Sequence, residues 1–192
     1  MIRTENFAQV EVTSAAQLRA WLEANHTQTE SAWVVTYKKH TGAAYVSTSD
    51  VLDELLCFGW IDGIRRKLAE DRTMQMISPR KTRHWARSYK ERAERLQAAG
   101  RMHPAGLAAI EAAKQAGLWN SMDDVDALQI PDDLQAALQA RPAAWQSFST
   151  AAPSYRRNVL RWIKLARTPA TRTKRIAQTV ALASRGEKVP QM

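Results

Sequence analysis

The string Cys57-Phe58-Gly59-Trp60-Ile61-Asp62-Gly63 is where the sequence first offers chemistry. Side chains alternate along a strand, so a strand opening at Trp60 places Trp60, Asp62, Ile64 and Leu68 on one face. A carboxylate on such a partly apolar face needs a partner, because burying it bare is costly. The neighbouring cations are Arg65, Arg66, Arg80 and Arg83. Two arrangements satisfy Asp62. One is a closed Asp–Arg or Asp–backbone lock that only holds the fold. The other is a pocket in which Asp62, Trp60 and an arginine orient a small polar ligand. His84-Trp85-Ala86-Arg87 stands at a predicted helix start, where free N–H groups beside Arg80, Lys81 and Arg83 suit an anion. His84 itself reads as a cap or loop residue. The pocket candidates are therefore Trp60, Asp62, Arg65, Arg80 and Trp85.

Cys57 lies on an apolar helical stretch with no base beside it and reads as a packing residue. The single cysteine excludes a disulfide framework and a thiolate zinc site, and His26, His40, His84 and His103 lack metal-ligand spacing. Asp123, Asp124 and Asp126 lack the glycine and terminal glutamate of a calcium loop, so they read as a linker. Phosphate-loop, dinucleotide, nucleophile-elbow and zinc-protease signatures are missing from the chain. No catalytic residue, metal or cofactor is expected.

A second cluster is cationic. The last forty residues carry ten Lys and Arg against one acidic residue, and 65–95 carry eleven against four. On a helix beginning at Pro153, Tyr155, Val159, Trp162, Ile163 and Ala166 fall within one arc, while Arg156, Arg157, Arg161, Lys164 and Arg167 fill the next. The following helix repeats the pattern with Ile176, Val180 and Ala183 inward and Arg172, Lys174 and Arg175 near its start. If the two helices pair antiparallel, Arg156, Arg157, Arg161, Lys164, Arg172, Lys174 and Arg175 form one positive surface for an acidic partner, protein or nucleic acid. The competing arrangement folds the acidic stretch 123–133 against these cations and neutralises them.

These residues need elements to hold them. Ser14, with Gln17 three residues on, caps a helix near 14–25 whose Leu18, Trp21 and Leu22 turn inward. Ala32–Lys39 reads as a strand, Ser47–Cys57 as a helix with Val51, Leu52, Leu55 and Leu56 inward, and Gly59 as its stop. Strands near 60–67 and 73–78 complete a small antiparallel sheet, with the two helices on one face. Prolines and glycines then mark helices near 84–98, 104–116, 132–140, 142–150, 153–167 and 169–184. The fold class is α+β: an α+β domain over 1–120, then an all-helical module over 121–192. The seven tryptophans are spread along all 192 residues, as core anchors are. With 45% hydrophobic and 24% charged residues, no apolar run of spanning length and no secretory pattern after Met1, the chain reads as a soluble cytoplasmic protein.

The strings LCFGWIDG, SPRK followed by HW, and KERAERLQAAGRMHPAGLAAIEAAKQAGLW resemble the YdeI/OmpD-associated, or bacteriocin-protection, family. The stretch from LQAALQARPAAWQSF to TVALASRG looks like that family's C-terminal module, so the resemblance runs from about residue 15 to 186. The family usually has a longer loop after Pro-Arg-Lys and then Trp-Ser-x-x-Asn; Ala86 and Tyr89 stand at those Ser and Asn positions. The resemblance implies a bacterial, cytoplasmic α+β protein with a helical C-terminal module and no defined reaction; the first reading is a non-enzymatic stress- or bacteriocin-protection protein that acts by binding. It supplies no catalytic residues. A small-molecule or enzymatic pocket around Trp60, Asp62, Arg65 and Trp85, and non-specific nucleic-acid binding through the C-terminal helices, are the alternatives.

Overall fold

The computed structural model describes residues 7–81 and 84–190. They divide into two compact units, one up to Asn120 and one from Ser121. The first holds β1 (Gln9–Val12), α1 (Ala15–Asn25), β2 (Ala32–Tyr37), a 3-10 segment (Lys39–Ala44), α2 (Thr48–Cys57), β3 (Trp60–Lys67), β4 (Arg72–Pro79), α3 (Arg87–Ala98) and α4 (Pro104–Gln115). The sheet order is β1-β2-β4-β3, with β4 antiparallel to both neighbours. The three expected strands therefore form the antiparallel part of the sheet, with β4 between β2 and β3. A fourth strand, β1, pairs parallel to β2 at the edge, Gln9 with Trp33 through Val12 with Thr36.

The register sorts the side chains. Val10, Val12, Ala32, Val34, Trp60 and Ile77 share the face that meets α1 and α2 through Leu18, Leu22, Val51, Leu55 and Leu56. Trp33 and Val35 project to the other face and are buried as well, which explains the continuous apolar run of β2. Trp21 and Leu52, expected inward with the others, are only partly buried. Trp21 sits at the rim, edge-on to Trp60 at 5.6 Å. On α2 the buried arc instead takes in Asp53 and Glu54.

The expected alternation along β3 fails after Asp62. Asp62 pairs with Ile77 but Arg65 with Gln75, so an extra residue bulges between them. Gly63 stands at the bulge, where a Cβ would lie 2.8 Å from the Met76 methyl. Ile64 and Leu68 are exposed, and Arg65 instead of Ile64 comes onto the face of Asp62.

α1 is capped as its sequence predicts: Ser14 Oγ accepts from the Gln17 amide at 3.2 Å, and Gln17 Oε1 accepts from Thr13 N at 2.8 Å. Replacing Ser14 by Ala leaves the Gln17 amide without its acceptor. Urea unfolding should register a loss of about 1 kcal/mol.

The second unit contains α5 (Asp123–Asp126), α6 (Asp132–Gln139), α7 (Pro142–Ser149), α8 (Pro153–Lys164) and α9 (Pro169–Ala183). The acidic stretch expected as a linker is a helical turn. Met122 and Val125 are buried in a core with Leu134, Leu138, Phe148, Val159, Leu160, Ile163, Ile176 and Val180. Among the described residues no helix is long and apolar enough to cross a membrane.

Candidate functional site

Four short pieces of chain in the first unit build the site: the start of β3, the middle and end of β4, the loop into α3, and the first turn of α3. Arg80 follows β4, its amide donating to Gly59 O at 2.8 Å, so it sits beside the turn that opens β3. Its guanidinium carbon lies 3.8 Å from the centroid of the Trp85 ring and 5.3 Å from that of Tyr89, well within cation–π range. Trp85 is fully buried and has Trp119 beside it at 4.9 Å. Arg80 Nη2 donates to His84 O at 3.4 Å, while its buried Nε and Nη1 have no hydrogen-bond partner among the described residues. Burial pulls the pKa of Arg80 down and Asp62 opposes that, yet the two form no ion pair among the described residues.

Asp62 is partly buried and takes one bond on each oxygen. Tyr89 OH donates to Oδ1, and Gln75 Nε2 donates to Oδ2 at 3.0 Å. Arg65 Nη2 donates to Gln75 Oε1 at 2.8 Å and Nη1 to Thr48 Oγ1 at 3.0 Å, which fixes the Gln75 amide with its donor toward Asp62. Burial and the bond to Asp62 both raise the Tyr89 pKa, so the phenol keeps its proton and remains a donor.

Of the sequence candidates, Asp62, Arg80 and Trp85 come together, and Arg65 joins through Gln75. Trp60 does not join them: it belongs to the core, its Nε1 donating to His26 O at 3.3 Å. Arg66 lies over Trp33 at 5.4 Å instead, and Arg83 lies outside the described residues. Tyr89 and Gln75 are the residues that sequence reasoning missed. Gln75 had a signal, being the polar residue between Thr73 and Ile77 on an inward face. Tyr89 makes its polar contact through its hydroxyl, which donates to Asp62.

Beside this site, α2 carries a second charged cluster. Asp53 receives Arg92 Nη1 and both Arg95 Nη2 bonds, at 2.7 and 2.8 Å from the latter. Glu54 receives Arg19 at 3.0 Å and Arg101. These carboxylates tie α3, the loop after it and α1 to α2. Their bonding is complete enough to read as a clamp. Cys57, one turn on, is buried, and burial pushes its thiol pKa up, so it is a poor nucleophile.

Residues 10–109, 100 of the 192, match the model of a domain of unknown function (DUF8412). The chain belongs to the DUF8412 family. Residues 127–186 match a second model, described as bacteriocin-protection, YdeI or OmpD-associated. The likeness read along 15–186 is thus shared between two models, with the YdeI/OmpD-associated part in the helical unit. Searches of curated proteins and of solved structures returned no match.

The YdeI/OmpD-associated module does not keep its cations as one open surface. Lys164 pairs with Asp124 at 2.5 Å, and Arg172 grips Asp133 through Nε and Nη2 at 2.6 and 2.8 Å. Arg175 turns inward, over the Trp162 ring at 4.9 Å and bonded to Trp162 O. Arg156 reaches back to Ser149 O at 3.4 Å. Arg157 and Arg161 are partly buried, and Lys174 is exposed. The acidic stretch therefore neutralises two of the seven positions, the competing arrangement foreseen above. α9 also packs on α6 and α7 as well as α8, so the two last helices are not an isolated pair. Among the described residues no group of three or more His, Cys, Asp or Glu is placed to hold a metal.

Proposed function

We propose that this protein acts by binding, in a bacteriocin-protection-type role, and that its DUF8412 unit holds the oxyanion of a small molecule, carboxylate or phosphate, at Arg80. The observation that carries this reading is the pair of buried guanidinium nitrogens, Nε and Nη1, that have no partner among the described residues and lie on a Trp85 wall. A buried charged donor left unpaired costs free energy, and an oxyanion supplies the missing acceptor with charge-assisted bonds. The site is built for geometry as well: Trp85 and Tyr89 hold the guanidinium plane, so little side-chain freedom is lost on binding. The family description of the helical module supports the role in general terms only, and it says nothing of the ligand.

Inorganic phosphate and propionate are suitable probes. At a concentration about 100 times its Kd, a probe that binds only the folded state should raise stability by about 2.7 kcal/mol. Calorimetric titration of wild-type protein should give saturable binding, and Arg80→Gln should remove it. Arg80→Lys keeps the charge but loses the planar fork, so it should bind more weakly than wild type. Saturable binding that survives in Arg80→Gln, or no binding of either probe to the wild type, overturns the reading.

A further inference from the structure

The oxyanion at Arg80 leaves Asp62 unexplained. It is an acceptor only partly buried, with Tyr89 and Gln75 taking one lone pair from each oxygen and further acceptor capacity left over. No ion pair among the described residues includes it. Arg80 feels the Asp62 charge but makes no ion pair with it among the described residues. Arg80 is bonded to Gly59 and Asp62 lies three residues further along β3, a separation of about 10 Å at the rise of a strand. Arg80 spends its length turning onto Trp85 and Tyr89. Arg65, which could have closed the gap, is engaged by Gln75 and Thr48.

The result is two opposite charges, both incompletely bonded, on either side of one phenol. The Tyr89 ring faces the Arg80 guanidinium and its hydroxyl is fixed on the Asp62 carboxylate. Two such charges in one protein would ordinarily pair with each other. Kept apart by rigid strands, they match a molecule that carries the complementary charges at a distance. We propose that the ligand is a small zwitterion, an amino carboxylate whose carboxylate meets Arg80 and whose ammonium group donates to Asp62. Trp85 closes the side of the site behind the guanidinium. The Arg65–Gln75 relay keeps the Gln75 donor on Asp62 Oδ2 and so orients the carboxylate for the ligand's N–H groups. This inference rests on the oxyanion reading of Arg80 and adds the cationic half of the ligand.

The test uses the full chain and a matched series in calorimetric titration: propionate, propylamine, glycine, β-alanine and 4-aminobutyrate, with the amino-to-carboxylate distance increasing through the last three. One of the three amino acids should bind roughly tenfold or more tightly than propionate, the worth of one added charge-assisted bond. Propylamine should bind weakest. Asp62→Asn keeps an oxygen acceptor for Tyr89 but loses the charge. It should bring the best amino acid down to the affinity of propionate and leave propionate unchanged or improved. Arg80→Gln should abolish binding of propionate and of the three amino acids. If the amino acids bind no better than propionate, or if Asp62→Asn leaves their advantage intact, the zwitterion assignment falls and the oxyanion site stands. If neither propionate nor any amino acid binds, both fall together.

Discussion

Replacing Asp53 by Ala is expected to destabilise the N-terminal unit by about 3–5 kcal/mol, the cost of leaving a buried ion pair with one partner missing. The Asp53 side chain is only 8% exposed, and Arg92, its most buried partner, 21%. Three guanidiniums, those of Arg92, Arg95 and Arg101, converge on it. Glu54 already holds Arg19 and Arg101 and cannot take over the others. Arg95 and Arg101 keep contact with water, which places the expected loss toward the lower end of that range. Urea unfolding of Asp53→Ala and Asp53→Asn measures it, and a loss below about 1 kcal/mol, typical of exposed pairs, would show the clamp to be a surface feature. The same carboxylate predicts an acid limb. Burial pushes its pKa up, but the bonds from Arg95 and Arg92 outweigh burial and hold it below the ordinary 3.8. Its stabilisation is therefore complete above pH 3.8 and is lost as the pH falls further, through the folded-state pKa. In Asp53→Asn that part of the acid limb should disappear. Arg92 is one turn from Tyr89 on α3, so loosening the clamp should also weaken ligand binding at Arg80.

The helices were legible because their ends are chemical. Proline at a first position and glycine past the last are local signals, and α4, α7, α8 and α9 each begin on the expected proline. β1 was not legible. Gln9-Val10-Glu11-Val12 alternates for only four residues, and its parallel pairing with β2 depends on a return through α1, a long-range contact with no local mark. The bulge in β3 was half legible: Gly63 flags a weak point in a strand, but only the register with β4 reveals that the extra residue moves Arg65 onto the face of Asp62.

The candidate site followed the same division. Asp62, Arg80 and Trp85 could be chosen by type, since a carboxylate, a cation and an aromatic near one turn need each other. Which cation remains without a partner could not be read, because it depends on where rigid strands stop. Arg65 is engaged through Gln75, and Arg80 is left with free nitrogens. In the tail, the acidic residues that meet Lys164 on α8 and Arg172 on α9 come from about forty positions upstream. An arc computed from one helix contains no information about what folds onto it. That is why buried charge on α2 was also missed: Asp53 and Glu54 look like a solvated step between apolar residues until α3 supplies its arginines.

Gly106→Ala should be harmful, against the usual effect of that substitution in a helix. Alanine is favoured over glycine inside a helix by about 1 kcal/mol, and Gly106 lies in the first turn of α4, where no special backbone angle is required. The obstacle is the end of α2. A Cβ at residue 106 would stand 2.3 Å from Cys57 O and 2.8 Å from Leu56 O, both main-chain atoms of a helix terminus that no rotamer change can move. α4 would have to lift away from α2. That would strain the bond from His103 N to Cys57 O, at 3.0 Å, and open the packing of Ile110 and Ala113. Overpacking of this kind reaches about 3 kcal/mol or more, which exceeds the gain in helix propensity. A net loss of at least about 2 kcal/mol should appear in urea unfolding of Gly106→Ala. The exposed first residue of α4 gives the control: Pro104→Ala changes the same turn without approaching α2 and should cost far less. Equal stability of wild type and Gly106→Ala would mean that α2 and α4 do not make this backbone contact, and the placement of α4 against the α2 terminus would have to be abandoned.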